Sequence, residues 1–270
     1  MPAMLQEWTP QITALIGILP LSAAALTGRV RPGGLFWLML GAAIIGPLAL
    51  VGSHLMAGWQ SGLAANLWAS VAVTLLIFSV VCLLRPGTAR LSALLMPYLA
   101  LLELFAIVFS HAPSVEALDM SALVWFRAHV LLAVGSYGML TVASIAGLAV
   151  LLQEGALKRH SPQGWTSRTL PPLADAESLQ TTLLIWAAIL MGAAIASGAA
   201  NEFLETGRLL AFTHKILLSF LAFALITGLL VLHRRTGFRG RRAARLLLTG
   251  YLLLTLAYPG VKFVRDVLIS

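Results

Sequence analysis

The sequence predicts an all-α polytopic membrane protein with about eight transmembrane helices and both termini on the outer side. Three observations carry that expectation. Of 270 residues, 59% are hydrophobic and 10% charged, with a mean hydropathy of +0.92, whereas soluble domains carry roughly 25% charge and 45–50% apolar residues. Apolar stretches of the roughly 20 residues needed to cross a bilayer recur along the whole chain. Basic residues gather in every second connection, the signature of loops held on the cytoplasmic side. This composition excludes a soluble globule, a disordered tail and a fibrous protein. It also removes the nucleic-acid reading of the +8 charge and pI near 10.6. A single cysteine, Cys82, leaves no disulfide framework and no thiolate metal cluster. Period-two alternation is absent, which argues against a barrel.

The first expected span, 11–27, follows a segment with Glu7 and no Lys or Arg. The small-residue run LSAAALTG at 21–28 imitates a signal-peptide cleavage site, but the missing positive flank favours a retained helix. The second span, 35–56, holds Pro47 and ends near His54. Spans at 65–84 and 91–110 follow, the latter with Pro97 and Glu103. The fifth, 128–152, carries Gly135, Ser136, Gly138, Ser144 and Gly147, small residues that let helices approach closely. Gln153 to Leu179 is polar, contains Pro162, Pro171 and Pro172, and reads as a loop. Spans at 180–199, 213–232 and 246–264 complete a single integral membrane domain over 1–270. Pro20, Pro47, Pro97 and Pro259 are expected to kink their helices.

Orientation follows from charge. Arg29 and Arg31, Arg85 and Arg90, Lys158, Arg159 and Arg168, and the Arg234–Arg245 run hold thirteen of the 18 basic residues, all on one side. The positive-inside rule makes that side cytoplasmic. The 234–245 run then reads as a topology anchor in preference to a lipid or partner site.

This topology sorts the six histidines. His160 and His233 fall beside basic loops. His54, His111, His129 and His214 fall at the outer ends of helices. His129 and His214 each sit just inside a helix start, next to Arg127 and Lys215. Two helices entering from one side can present two imidazoles at one depth, and axial histidine is a common way to hold haem iron. Arg127, Lys215 and Arg208 are placed for haem propionates at the water boundary. The alternative for each is an interfacial histidine satisfied by water and headgroups. Tyr137 lies eight residues after His129, about 80° past two turns, and is read as flanking a ligand or, with more weight, as packing. Glu103 is the one acid well inside a span. It reads as a partner for a histidine or Lys215, a proton relay, or a neutral buried carboxyl.

Three segments carry a family resemblance. They are FRAHVLLAVGSYGMLTVASIAGLAVLLQEGALKR at 126–159, LPPLADAESL at 170–179, and THKILLSFLAFALITGLLVLHRRTGFRGRRAARLLLTGYLLLTLAYPGVKFV at 213–264. With the weaker GSHLM at 52–56, the chain resembles the cytochrome c assembly protein family, the CcsA/CcmC-like haem handlers. It looks nearest to their YpjD-like eight-span inner-membrane branch. The resemblance implies a multi-pass protein of the bacterial inner membrane that holds haem b between two external histidines, matched here by His129 and His214. His54 is the counterpart of an additional intramembrane ligand. The family's tryptophan-rich WGxxWxWD loop is missing: the corresponding stretch, SGAANEFLETGRLLAF at 197–212, has no tryptophan. Trp59, Trp68 and Trp125 are expected on the outer side, outside that loop.

The function expected is haem binding and handling in cytochrome c maturation, with no covalent chemistry asked of the protein. Haem, other cytochrome c maturation membrane proteins and the lipid bilayer are the expected partners, and nucleic acid is not. A transporter or accessory subunit for a metal ion or small solute, using Glu103 and the outer histidines, is the alternative. It lacks the internal repeat and paired broken helices of such carriers. A purely structural partner of another membrane complex is a third reading.

Overall fold

The computed structural model describes residues 2–28, 30–56, 62–110, 124–159, 164–207, 214–237, 239–256 and 260. Side chains are not described at 2–7, 124, 125, 205, 206, 214 and 215. Every regular element among the described residues is helical: α1 Pro2–Leu26, α2 Gly34–Met56, α3 Leu63–Leu84, α4 Ser92–Val108, α5 Val124–Lys158, α6 Trp165–Thr169, α7 Leu173–Thr206, α8 His214–Thr236 and α9 Gly240–Thr255. A 3-10 turn, Pro86–Leu91, precedes α4. Seven of these segments are long and apolar enough to cross a membrane. The eighth expected span, 246–264, is described only through 256 and at 260. The fold is an all-α polytopic membrane protein.

The outer surface explains the composition. On α2, Leu38 and Ile45 are 70% and 69% exposed. Apolar surface on this scale is stable only against lipid. With no hydrophobic drive between helices inside a bilayer, close packing needs small residues. A Cβ on Gly46 would lie 2.5 Å from the Ala14 Cα, and one on Gly17 would lie 2.9 Å from the Ala42 carbonyl oxygen. These two glycines lock α1 against α2. The small residues of α5 serve three neighbours. Gly138 faces Val73 and Ile77 of α3, Gly147 faces Gln180 of α7 and Leu247 of α9, and Gly135 faces Leu190 of α7.

Helices α1 to α4 form one group and α5, α7, α8 and α9 another, joined through α3 and α5; the α5–α7 pairing is the most extensive. Pro10, Pro20, Pro47 and Pro97 all sit inside continuous helices.

Two expected loops are narrower than their polarity implied. Residues 153–179 are mostly helical: α5 continues to Lys158, α6 spans Trp165–Thr169, and α7 begins at Leu173 behind its N-cap, Pro172. Proline suits a helix entry, where the missing N–H costs nothing. The polar residues here extend helices beyond the hydrocarbon. At about 1.5 Å per residue α5 measures roughly 50 Å against a core of about 30 Å. Gln153 is buried and ties the connection down, its Nε2 donating to the carbonyls of Pro171 at 3.0 Å and Thr166 at 3.3 Å. The Trp165 indole N–H donates to the Leu26 carbonyl at 2.8 Å and caps the end of α1.

The 234–245 run is also not one loop. His233, Arg234 and Arg235 form the last turn of α8, while Arg241, Arg242 and Arg245 lie in α9. Cations suit a helix C-terminus but not an N-terminus. At the start of α9 the difference is made up by Glu154 of α5, whose carboxylate accepts the Arg241 N–H at 2.9 Å. Gly240 is required there because its φ is +65° and a side chain would collide with that carboxylate.

Candidate ligand cavity at His129

His129 lies in the second turn of α5, where α5 runs against the distal part of α7. Its Nδ1 is 2.8 Å from the carbonyl oxygen of Ala194. A carbonyl only accepts, so Nδ1 carries a proton, and in the neutral tautomer Nε2 holds the lone pair. A histidine ligand is oriented in this way when its far nitrogen binds metal. The ring fits because residue 198 is glycine: a Cβ there would stand 2.9 Å from both Nδ1 and Cε1 of His129.

Beside the ring is a cavity of about 350 Å³ between α5, α7, α8 and α9, within the range of small-molecule sites. Met191, Ile195, Ile216, Phe220 and Leu254 give it apolar walls, and Asn201, Glu202 and Ser219 supply polar groups. The His129 ring, the apolar walls and the small residues Ala194, Gly198 and Ala199 make a largely apolar pocket with a nitrogen donor beside it.

Tyr137, read from the sequence as flanking or packing, lines this cavity and is also 4% exposed. Its hydroxyl belongs to a chain across three helices. Tyr251 of α9 donates to Tyr137 at 3.3 Å, and the Tyr98 and Tyr251 hydroxyls are 2.5 Å apart. Thr141 donates to Tyr251 at 3.1 Å, and Thr255 lies 3.4 Å from Tyr137.

The other expected site residues are distributed as follows. His214 is the first residue of α8, whose next turns bring Ile216, Ser219 and Phe220 to the cavity; the side chains of His214 and Lys215 lie outside the described residues. Arg208, His111, His160 and Trp59 also lie outside them, as does the Trp125 side chain. Arg127 is exposed and directly follows the cavity residue Phe126 in α5. His54 is half-buried on α2, which packs against α1 and α3, and does not line the cavity. Trp68 is 1% exposed in a satellite core with Ala14, Leu50 and Ala106.

Glu103 is fully buried on α4, and neither carboxyl oxygen has a hydrogen-bond partner among the described residues. No group of three His, Cys, Asp or Glu side chains able to hold a metal occurs among the described residues.

Sequence reasoning missed Ala194 and Gly198. The run GAAIASGAA at 192–200 was the available signal, since small residues on α7 mark where another helix comes close.

No solved structure matches the chain. Over 272 residues it is 41% identical to a protein of Azospirillum brasilense described as an uncharacterized 28.8 kDa protein in the nifR3-like 5' region, covering 99% of this chain and all of the relative. Residues 36–269 match the family described as Cytochrome C assembly protein. With its helical membrane architecture, the chain belongs to the cytochrome c assembly protein family, which gives it a role in the haem-handling process of cytochrome c maturation.

Proposed function

We propose that this protein binds haem b at the bundle end that carries His129, with His129 and His214 as axial ligands of the iron. The observation that carries the reading is the His129 hydrogen bond to Ala194, which commits Nδ1 to the carbonyl and leaves Nε2 as the nitrogen for a ligand, beside a largely apolar cavity. His214 opens the helix that supplies one wall of that cavity. Arg127, Lys215 and Arg208 would neutralise the propionates. His54 is a separate intramembrane ligand supported by resemblance alone. The sidedness set by the basic loops makes this end external, with both termini outside, in the inner membrane of a bacterium.

Haem supplies the redox-active iron; the chain's own residues bind it, orient it and shield it from water. The protein purified from haem-replete cells is expected to show a Soret band that weakens in His129→Ala and His214→Ala. A colourless preparation that stays colourless on adding haemin overturns the proposal. In an experimental structure the two ligating nitrogens should lie about 4 Å apart across the iron, given bonds near 2 Å.

The orphan carboxyl of Glu103 favours a second reading, a carrier or accessory subunit for a metal ion or small solute. It predicts that Glu103→Gln abolishes function while both histidine variants are tolerated.

A further inference from the structure

At the arginine-rich end of the bundle a second cavity, of about 400 Å³, lies between α7, the end of α8 and the start of α9. Its lining changes character along both helices. Leu184 of α7 and Leu229 of α8 lie toward the middle of the bundle. About one turn further out, Gln180 and Glu177 line it on α7 and His233 on α8, with Arg239 following. An apolar inner part and a polar outer part, at the level where a helix leaves the hydrocarbon, match the shape of a phospholipid.

Two of the polar groups there, Gln180 and Arg239, have no side-chain partner among the described residues. Gln180 is only 5% exposed, and its amide makes no hydrogen bond among the described residues. An amide that reaches the cavity without a protein partner can take hydrogen bonds from a ligand there. Arg239 is exposed and forms no ion pair among the described residues. The lining holds one carboxylate, that of Glu177. Glu177 Oε1 stands 3.5 Å from where a Cβ on Gly240 would be, at the positive end of α9 alongside Glu154. The exposed Arg239 guanidinium is open to an external anion.

We propose that this cavity holds the phosphodiester headgroup of an anionic membrane phospholipid, with the phosphate on Arg239 and His233 and the glycerol or ester oxygens on Gln180. An arginine at the rim of a pocket between transmembrane helices can take such a headgroup. A topology anchor needs only charge, whereas this site adds a cavity, a buried amide and apolar walls. Those walls commit the site to a lipid over a free phosphate.

Delipidated protein in detergent, assayed by native mass spectrometry and thermal melting, tests the proposal. Phosphatidylglycerol is expected to bind and raise Tm. Arg239→Ala and Gln180→Leu should each weaken that binding about tenfold, while Arg234→Ala, an exposed cation in the last turn of α8, should leave it unchanged. Diacylglycerol with the same chains and inorganic phosphate are both expected to fail. Equal binding of diacylglycerol means an annular lipid only and overturns the proposal. Competition by inorganic phosphate alone overturns the lipid source. An equal loss in Arg234→Ala reduces the effect to surface charge and also overturns it.

Discussion

The Ala194 carbonyl serves more than one donor. The Ser197 hydroxyl donates to it at 3.0 Å, and the His129 imidazole reaches it at 2.8 Å. The imidazole is seated here only because Gly198 has no side chain. Gly198→Ala is therefore expected to displace the ring, cost about 1–3 kcal/mol of stability, and lower haem retention measured by the Soret band. Gly192→Ala is the comparison, since its new methyl meets Phe223 at an ordinary 3.4 Å and should leave the spectrum unchanged. Tyr251 is the hub of the hydroxyl chain between Tyr98 and Tyr137. Tyr251→Phe takes this partner from Tyr98, leaves Tyr137 with Thr255, and should cost about 1–3 kcal/mol. Thermal melts of Tyr251→Phe, Tyr98→Phe and the double variant should be non-additive. His129 was legible in the sequence because an ionisable group at a helix end in a membrane is rare. Its acceptor was not: a backbone carbonyl has no residue signature, and which carbonyl it is depends on how α5 meets α7.

Among the helices, legibility tracks apolarity. Centres of spans were readable because hydrocarbon imposes length and hydropathy together. Their ends were not, because a helix that outruns the bilayer turns polar without stopping, as α5 and α7 do. The helical start of α9 within an arginine-rich run was hidden for a related reason. Its cap is not local but comes from Glu154, 87 residues earlier. Glu154→Ala is expected to cost about 0.5–2 kcal/mol and to remove hydrogen-exchange protection from the first turn of α9 first. Gly240→Ala should destabilise the same turn through its +65° φ.

For the whole molecule, the two helix groups meet through α3 and α5, and one buried core runs across both. The sidedness of that assembly rests on charge alone and is open to a direct check. The one native cysteine, Cys82, is 1% exposed, so it should stay silent toward a membrane-impermeant maleimide. Ser114→Cys should label in intact cells, and Ser161→Cys only after permeabilisation. The reverse pattern would invert the topology and place the His129 cavity inside. Gln153 of α5 ties down the connection to α7, and Trp165 ties that connection to the end of α1, so the arginine-rich side is the fastened end of the bundle.

The acceptor that orients His129 has no proton to lose and no side chain to exchange. Changes in pH that leave the ring neutral do not alter which nitrogen it presents, and no substitution at position 194 deletes the partner. What breaks the bond is a bend or local unwinding of α7 near Gly198. On the proposed haem site, loss of the ligand would then follow from bending α7, and the ring's orientation would return when the helix straightens.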